Sequence, residues 1–336
     1  MENNSQKNIL VTGGCGFIGS CFVKKQIAKG NFVLNIDKLT YAGNQNNVAE
    51  VATHPNYRFT KADINETALI QNLLNSHKID WVVNFAAESH VDNSISGPAV
   101  FIHTNINGTF SLLQASLNYF KNLSEDKKNN FRFLHVSTDE VFGSLSEEDE
   151  PFNELSRYQP NSPYSSSKAS SDHLVRAWHE TYKLPTIITN CSNNFGEFQH
   201  REKLIPTIIR SCLENKDIPI YGNGKNIRDW IYVGDHCDGI DLALNQGKVN
   251  DTYLFGGEQE LRNIEIAHKI CSILDRIHPR KDKNSYQQQI KFVQDRAGHD
   301  FRYAISNQKS FKELGFKPSK SFDERLEQTV NFFIKS

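Results

Sequence analysis

The segment Thr12-Gly13-Gly14-Cys15-Gly16-Phe17-Ile18-Gly19 lies between a short apolar run, Ile9 to Thr12, and a stretch of helical character, and it constrains the fold more than any other. Glycines in such a segment let the chain turn sharply, let backbone approach a pyrophosphate and let helix pack on strand, while the helix N-terminus turns its N–H groups toward phosphate. Strand, glycine turn and helix in this order predict the opening unit of a dinucleotide-binding sheet. Asp37 closes the next β-branched run, Phe32 to Asp37, near the offset of about 20 residues where a carboxylate binds the adenosine ribose hydroxyls and repels the extra phosphate of NADP. The expected cofactor is NAD. Asp63 and Ile64, after the run Tyr57 to Lys61, are placed to meet the adenine edge.

Beyond that unit, short β-branched runs alternate with longer helical stretches as far as about Asn190, which predicts parallel strands joined by right-handed crossovers. The remaining strand candidates are Trp81 to Phe85, Phe131 to Ser137 and Thr186 to Asn190. Ile106, Phe110, Leu113 and Leu117 recur at helical spacing and predict a face that is either core or subunit contact. Lys121 to Asn130, Ser144 to Glu154 and Pro279 to Gln289 lack periodicity and read as loops. The fold class is α/β, a doubly wound parallel sheet with a smaller C-terminal α/β lobe that binds substrate. The expected boundaries are 1–190 for the cofactor domain, with a segment of about 229–258 returning to it, and 191–228 with 259–336 for the second lobe.

Charge and cysteine usage narrow the partners. Among 336 residues, 38 lysines and arginines balance 39 acidic residues, leaving no basic excess to attract nucleic acid or an anionic membrane. No apolar run reaches the roughly 20 residues of a membrane helix, and Met1 to Lys7 is polar where a signal peptide would be apolar. A cytoplasmic protein is expected. The 6 cysteines form neither a CxxC pair nor a dense framework, and the 12 histidines show no ligand spacing, so no metal is expected.

Tyr164-Ser165-Ser166-Ser167-Lys168 sets a phenol and an ammonium one helical turn apart, where the lysine and a positive nicotinamide ring are expected to lower the phenol's pKa from about 10. Tyr164 would then take a hydroxyl proton while hydride leaves the same carbon. Thr138, in Ser137-Thr138-Asp139-Glu140, offers a hydroxyl to orient the substrate. This arrangement resembles the short-chain dehydrogenase/reductase family, of Rossmann type. With Phe85 to Asp92, Ser137 to Val141, Ser162 to Tyr164, Lys168 to His173 and Arg228-Asp229-Trp230, the sequence resembles the dTDP-glucose 4,6-dehydratases over essentially its whole length.

The resemblance implies a chemistry. Tyr164 assists oxidation of the sugar at C4, Glu140 removes the acidified C5 proton, and a protonated Asp139 releases the C6 hydroxyl as water. It further implies a cofactor site of Gly13, Gly16, Phe17, Ile18, Gly19, Asp37, Lys38, Thr40, Asp63, Ile64, Phe85, Ala86, Ala87, Ser89, Thr104, Tyr164, Lys168, Cys191 and Asn194. For the nucleoside-diphosphate hexose it implies Ser89, His90, Thr138, Asn193, Lys203, Leu204, Pro219, Tyr221, Arg228, Asn263, Arg296 and His299. Asn193 would face the phosphate, and Arg228 would pair with diphosphate through its planar fork. A homodimer joined by two helices per subunit is also implied. Phe142, Phe195, Asn190 and the run Phe198 to Arg201 depart from the family pattern, which leaves uracil open as the base. The alternatives are a UDP-glucose 4,6-dehydratase, a UDP-hexose 4-epimerase, a UDP-glucuronate decarboxylase and, outside enzymes, an NAD-binding redox regulator. The Asp139-Glu140 pair argues against the epimerase and the decarboxylase.

Overall fold

The first strand, β1 (Asn8–Thr12), carries Ile9, Leu10 and Val11 with no exposed surface, as a strand covered on both faces requires. The structure is a computed structural model that describes residues 6–318 and 321–336. β1 leads through the glycine turn into α1 (Phe17–Ala28), followed by β2 (Phe32–Asp37), β3 (Tyr57–Lys61), α2 (Thr67–His77) and β4 (Trp81–Asn84). Then come α3 (Val91–Ser96), α4 (Ala99–Phe101), a π-helical stretch Ile102–Gly108, α5 (Thr109–Lys121), α6 (Glu125–Asn130), β5 (Arg132–Thr138), α7 (Pro163–Tyr182) and β6 (Thr186–Cys191). The chain continues through β7 (Asn193–Phe195), α8 (Leu204–Leu213), β8 (Ile218–Tyr221), β9 (Ile227–Tyr232), α9 (Val233–Gln246) and β10 (Asp251–Phe255). It closes with β11 (Glu260–Arg262), α10 (Asn263–Ile277), β12 (Ile290–Val293), α11 (Gln308–Leu314) and α12 (Phe322–Lys335).

Every strand read from the sequence forms, with ends displaced by no more than one residue. They assemble a 7-stranded sheet in the order β10-β6-β5-β4-β1-β2-β3, parallel throughout. This is the doubly wound α/β architecture. The order turns between β1 and β4, and ligands of such sheets bind in the crevice outside the carboxyl ends at that point. Thr12 and Asn84, the last residues of the two strands, share a buried hydrogen bond of 2.6 Å there.

The remaining strands form a 3-stranded sheet, β11-β9-β7, and a 2-stranded one, β12-β8. Ile205, Ile208 and Ile209 of α8 pack with Ile266, Ile270 and Leu274 of α10 and with Leu326 and Val330 of α12 into a separate core. From the segment about 229–258, β10 lies on the large sheet beside β6, whereas β9 pairs with β7 and β11.

Two local expectations differ from the structure. Lys121 to Asn130 contains the short helix α6, none of whose residues is buried; a solvated helix leaves no apolar period to read. The apolar stripe also divides. Leu113 and Leu117 enter the core while Phe110 is 45% exposed and Ile106 half-buried, because the π stretch, with its i→i+5 spacing, breaks the register before α5 begins.

Candidate active site

At the first turn the backbone determines what fits. Gly13 has φ +69°, and a Cβ there would lie 2.8 Å from the backbone nitrogen of Ala86. At Gly19 it would lie 2.3 Å from the Gly13 carbonyl oxygen, so the helix could not pack this close to the turn. Gly16 is the N-cap of α1, and no side chain caps this helix end, which leaves first-turn N–H groups directed at the cleft. Asp37 is 8% exposed; its carboxylate accepts from Cys15 N (2.9 Å) and Leu39 N (2.7 Å), which fixes it beside the turn. Burial raises its pKa, and those two hydrogen bonds oppose the rise. A bare helix end, a turn that excludes Cβ and a held carboxylate suit the pyrophosphate and ribose of NAD. Lys38 and Asp63 meet each other at 2.7 Å on the rim, and a second Asp63 oxygen accepts from Asn65. Asp63 therefore already has partners where the sequence reading turned it to adenine.

The candidate catalytic groups arrive from two elements. β5 ends at Thr138, whose hydroxyl donates to Asp139 (3.2 Å) and accepts from Glu140 N (3.3 Å), turning the chain so that both acids face the cleft. α7 begins with Ser162 and Ser165 in a reciprocal capping box and Pro163 at its first turn, which sets Tyr164 at the helix mouth. Tyr164 and Thr138 are both 8% exposed, and the Thr138 hydroxyl is among the groups that lower the Tyr164 phenol's pKa.

The two acids differ in surroundings. Asp139 is 2% exposed, and burial, then Glu140 and Asp229, push its carboxyl well above the usual range, which favours the protonated form. Its Oδ2 has no hydrogen-bond partner. Burial raises Glu140 as well, but the cations Arg296, Lys203 and Arg228 oppose the rise and favour its carboxylate.

Burial, then the Glu140 charge, push the Tyr164 phenol well above its ordinary value. The Lys168 ammonium donates to Val136 O (2.7 Å) and meets His135 Nε2 at 3.2 Å.

Arg228 needs correction. Its Nη1 donates to Ile227 O (2.7 Å) and Phe301 O (3.2 Å), its Nη2 to Asp300 O (2.9 Å), and the guanidinium lies 4.3 Å from the Tyr303 ring centre. Much of the fork is committed to backbone, so Arg228 offers the cleft mainly its charge. Three other substrate-side groups carry buried polar atoms without a partner: Asn193 Oδ1, Asn263 Oδ1 and Arg296 Nε. Such atoms are costly unless a ligand satisfies them. Lys203 donates to Ser89 O (2.9 Å), Tyr221 to Asp92 (3.2 Å), and Arg296 pairs with the same Asp92 at 3.5 Å, so these side chains span the two lobes. His299 is held by Asp295 at 2.6 Å. In β8 the period of two buries Ile218 and Ile220 and leaves Pro219 and Tyr221 to the cleft.

All the residues named from the sequence as catalytic, cofactor-binding or substrate-binding line one cleft of about 540 Å³, within the usual range of ligand sites. Among the cofactor-side residues these include Thr40, Phe85, Ala87, Thr104, Cys191 and Asn194. Sequence reasoning missed three supports. Asp92 ties Tyr221 and Arg296 together and stands in the quoted Phe85 to Asp92 block. Asp229, held by Gly257 N (3.0 Å) and Gln259 N (2.8 Å), raises Asp139. Asn105 clamps Glu88 through N–H (2.8 Å) and C=O (3.0 Å) and donates to Ser167 (2.8 Å); no sequence motif marks it.

Comparison with known proteins agrees with this geometry. The family described as GDP-mannose 4,6 dehydratase matches residues 10–329. A dTDP-glucose 4,6-dehydratase of Xanthomonas campestris pv. campestris (strain B100) is 50% identical over 97% of this chain and 92% of its own. The dTDP-glucose 4,6-dehydratase 1 of Escherichia coli (strain K12) is 50% identical over 98% and 93%. A crystal structure of a Streptomyces venezuelae dTDP-glucose 4,6-dehydratase with NAD bound superimposes with TM-score 0.89 at 41% identity, covering 98% of this chain and 97% of that one. A Thermotoga maritima UDP-glucose 4-epimerase gives TM-score 0.86 at 26% identity over 98% and 99%, so the fold alone does not separate the two reactions. The chain belongs to the GDP-mannose 4,6 dehydratase family, among the dTDP-glucose 4,6-dehydratases.

Proposed function

We propose that the protein is an NAD-dependent dTDP-glucose 4,6-dehydratase, a hydro-lyase that yields dTDP-4-keto-6-deoxy-glucose for deoxysugar synthesis. The observation that carries this reading is the pair Asp139 and Glu140, adjacent in sequence, open to one cleft and electrostatically unlike. An epimerase has no task for such a pair. NAD, held by the glycine turn, α1 and Asp37, supplies the acceptor for the C4 hydride, a positive ring beside Tyr164 and the later return of that hydride to C6.

Thr138 orients the C4 hydroxyl, and Tyr164 takes its proton. The new ketone acidifies C5, whose proton passes to the Glu140 carboxylate. Asp139, kept neutral by burial and by Glu140 and Asp229, gives its proton to the C6 hydroxyl, which leaves as water. C5 regains a proton as C6 is reduced, so the sum is loss of water with no net redox change. Asn193, Asn263 and Arg296 would satisfy their buried polar atoms on the nucleotide sugar, and Lys203 and Arg228 supply charge to its diphosphate.

The same reading divides the chain into a cofactor lobe, 1–190 with a return near 229–258, and a substrate lobe of 191–228 and 259–336. It also makes the protein a homodimer. Val100 (47% exposed), Ile102 (46%) and Phe110 on the α4 to α5 stretch, with Tyr182 (45%) on α7, are large apolar groups on the two elements expected to meet a second copy. Light scattering would give the mass of two chains, and Phe110→Glu would halve it. All six cysteines are free, which suits the reducing cytoplasm, and no described helix is long and apolar enough to cross a membrane.

The function is tested by product mass after incubation with dTDP-glucose or UDP-glucose, without reductant. Loss of one water from dTDP-glucose supports the proposal. The same loss from UDP-glucose alone would reassign the base, and conversion of UDP-glucose to UDP-galactose would establish the epimerase.

A further inference from the structure

His236, in the first turn of α9, takes no part in the proposed chemistry and is 0% exposed. Its Nδ1 stands 2.9 Å from Oδ1 of Asn194, a residue that lines the cleft. The Asn194 amide nitrogen in turn donates to Cys191 Sγ (3.3 Å), and Cys191 of β6 pairs in register with Thr138 of β5. Asn194 therefore sits at the catalytic end of the cofactor side. The start of α9 is braced on α1 as well, where Cys237 Sγ donates to Ile18 O (3.6 Å) and Lys25 Nζ donates to Gly234 O (2.7 Å).

The other partners of Asn194 determine where the imidazole proton lies. The Asn194 amide nitrogen stands 3.0 Å from Ser192 O, a carbonyl that can only accept. The NH2 end of the amide thus faces Ser192, and its oxygen faces His236. That oxygen needs a donor, so Nδ1 carries the proton. The second ring nitrogen, Nε2, is buried and has no hydrogen-bond partner among the described residues. A proton there would be an unpaired buried donor. Burial accordingly pushes the His236 pKa down to about 3, which leaves the ring neutral and Nε2 bare.

We propose that His236 is a positioning residue of the cofactor site: its Nδ1–H holds the Asn194 amide so that the second lone pair of Oδ1 accepts from the carboxamide N–H of NAD. The inference rests on the reading that NAD occupies this cleft with its reacting ring toward Thr138 and Tyr164. The terminal torsion of an asparagine is broad and roughly two-fold, so its amide plane needs holding from both ends. From the nitrogen side the partners are Ser192 O and a sulfur, which is a weak acceptor. Gln199 Nε2 donates to Asn194 O (2.7 Å) and so holds the backbone, not the amide. Among the described residues, His236 alone bonds Oδ1.

Two measurements on the full chain decide the proposal, neither of them an activity. In isothermal titration, His236→Leu should weaken NAD by about tenfold, the worth of one hydrogen bond left unmade, with dTDP affinity unchanged. Asparagine carries its N–H on the atom next to Cγ, as Nδ1 does, whereas glutamine carries it one bond farther out, as Nε2 does. His236→Asn should therefore restore most of the NAD affinity and His236→Gln should not. Ring 15N resonances of the wild-type chain should show His236 neutral, with its proton on Nδ1, from pH 5 to 8. An Nε2–H tautomer would overturn the proposal, as would undiminished NAD affinity in His236→Leu or an Asn variant no better than the Gln one. If His236→Leu failed to fold, the Asn and Gln pair and the tautomer would still decide. A wild-type chain that bound no NAD would instead sink the cofactor reading itself.

Discussion

On the cofactor side of the cleft, backbone does most of the work: a turn that admits no Cβ at Gly13 or Gly19, an uncapped helix end and one aspartate held by two main-chain N–H groups. On the sugar side, side chains from β5, α7, β7, α8, β9, α10 and the loop after β12 converge, and several keep polar atoms unpaired. A backbone site recognises what every dinucleotide has in common and leaves little room for substitution. A side-chain site can be refitted to a new reaction on the same frame, which accounts for an epimerase sharing this fold at TM-score 0.86.

If the comparison holds, the two sides should fail differently. The largest effect is expected on the sugar side. Glu140→Gln should cut dehydration by about 10²–10⁴-fold, the usual worth of a positioned base, while enzyme-bound NADH accumulates, read by its near-ultraviolet absorbance, because C4 oxidation survives. Tyr164→Phe should abolish that absorbance too. Gly13→Ala should strike the other side: forcing a side chain into this backbone conformation costs about 1–3 kcal/mol before the Ala86 clash is added. Isothermal titration should show NAD affinity falling while dTDP affinity holds, and an equal loss of both would break the comparison.

The pH dependence sharpens it further. Asp139 must be protonated, and its raised pKa means that elimination persists above the ordinary carboxylate range and declines as pH rises through the raised value. Asp229→Asn removes one of the charges that raise it, so the decline should begin at lower pH in stopped-flow elimination, with single-turnover C4 oxidation unmoved. The smallest effect is expected at the rim. Lys38 is 53% exposed in its pair with Asp63, and such pairs are worth about 0–1 kcal/mol, so Lys38→Ala should weaken NAD only slightly.

The same contrast explains what could be read from the sequence. The sheet and the turn were legible because β-branched runs, glycine spacing and Asp37 encode them locally. The sugar side was legible mainly through resemblance, since no period or spacing brings Asn193, Asn263 and Arg296 together; the tertiary fold does. Where sequence reading went astray, the cause lay in distant partners. Arg228 has its fork taken largely by the carbonyls of Asp300 and Phe301. Asn105 acts through the backbone of Glu88, which leaves no mark in a motif, whereas Asp229 stands in the Arg228-Asp229-Trp230 block but acts on Asp139 by a charge that only the fold brings near.

The central claim is that Glu140 and Asp139 divide an elimination between them, and running the wild-type reaction on dTDP-glucose in D2O tests it most directly. A carboxylate that removes the C5 proton exchanges it with solvent, so proton NMR of the keto sugar should show deuterium at C5 and the transferred hydrogen at C6. A dehydrated product that keeps its original hydrogen at C5 would contradict the account.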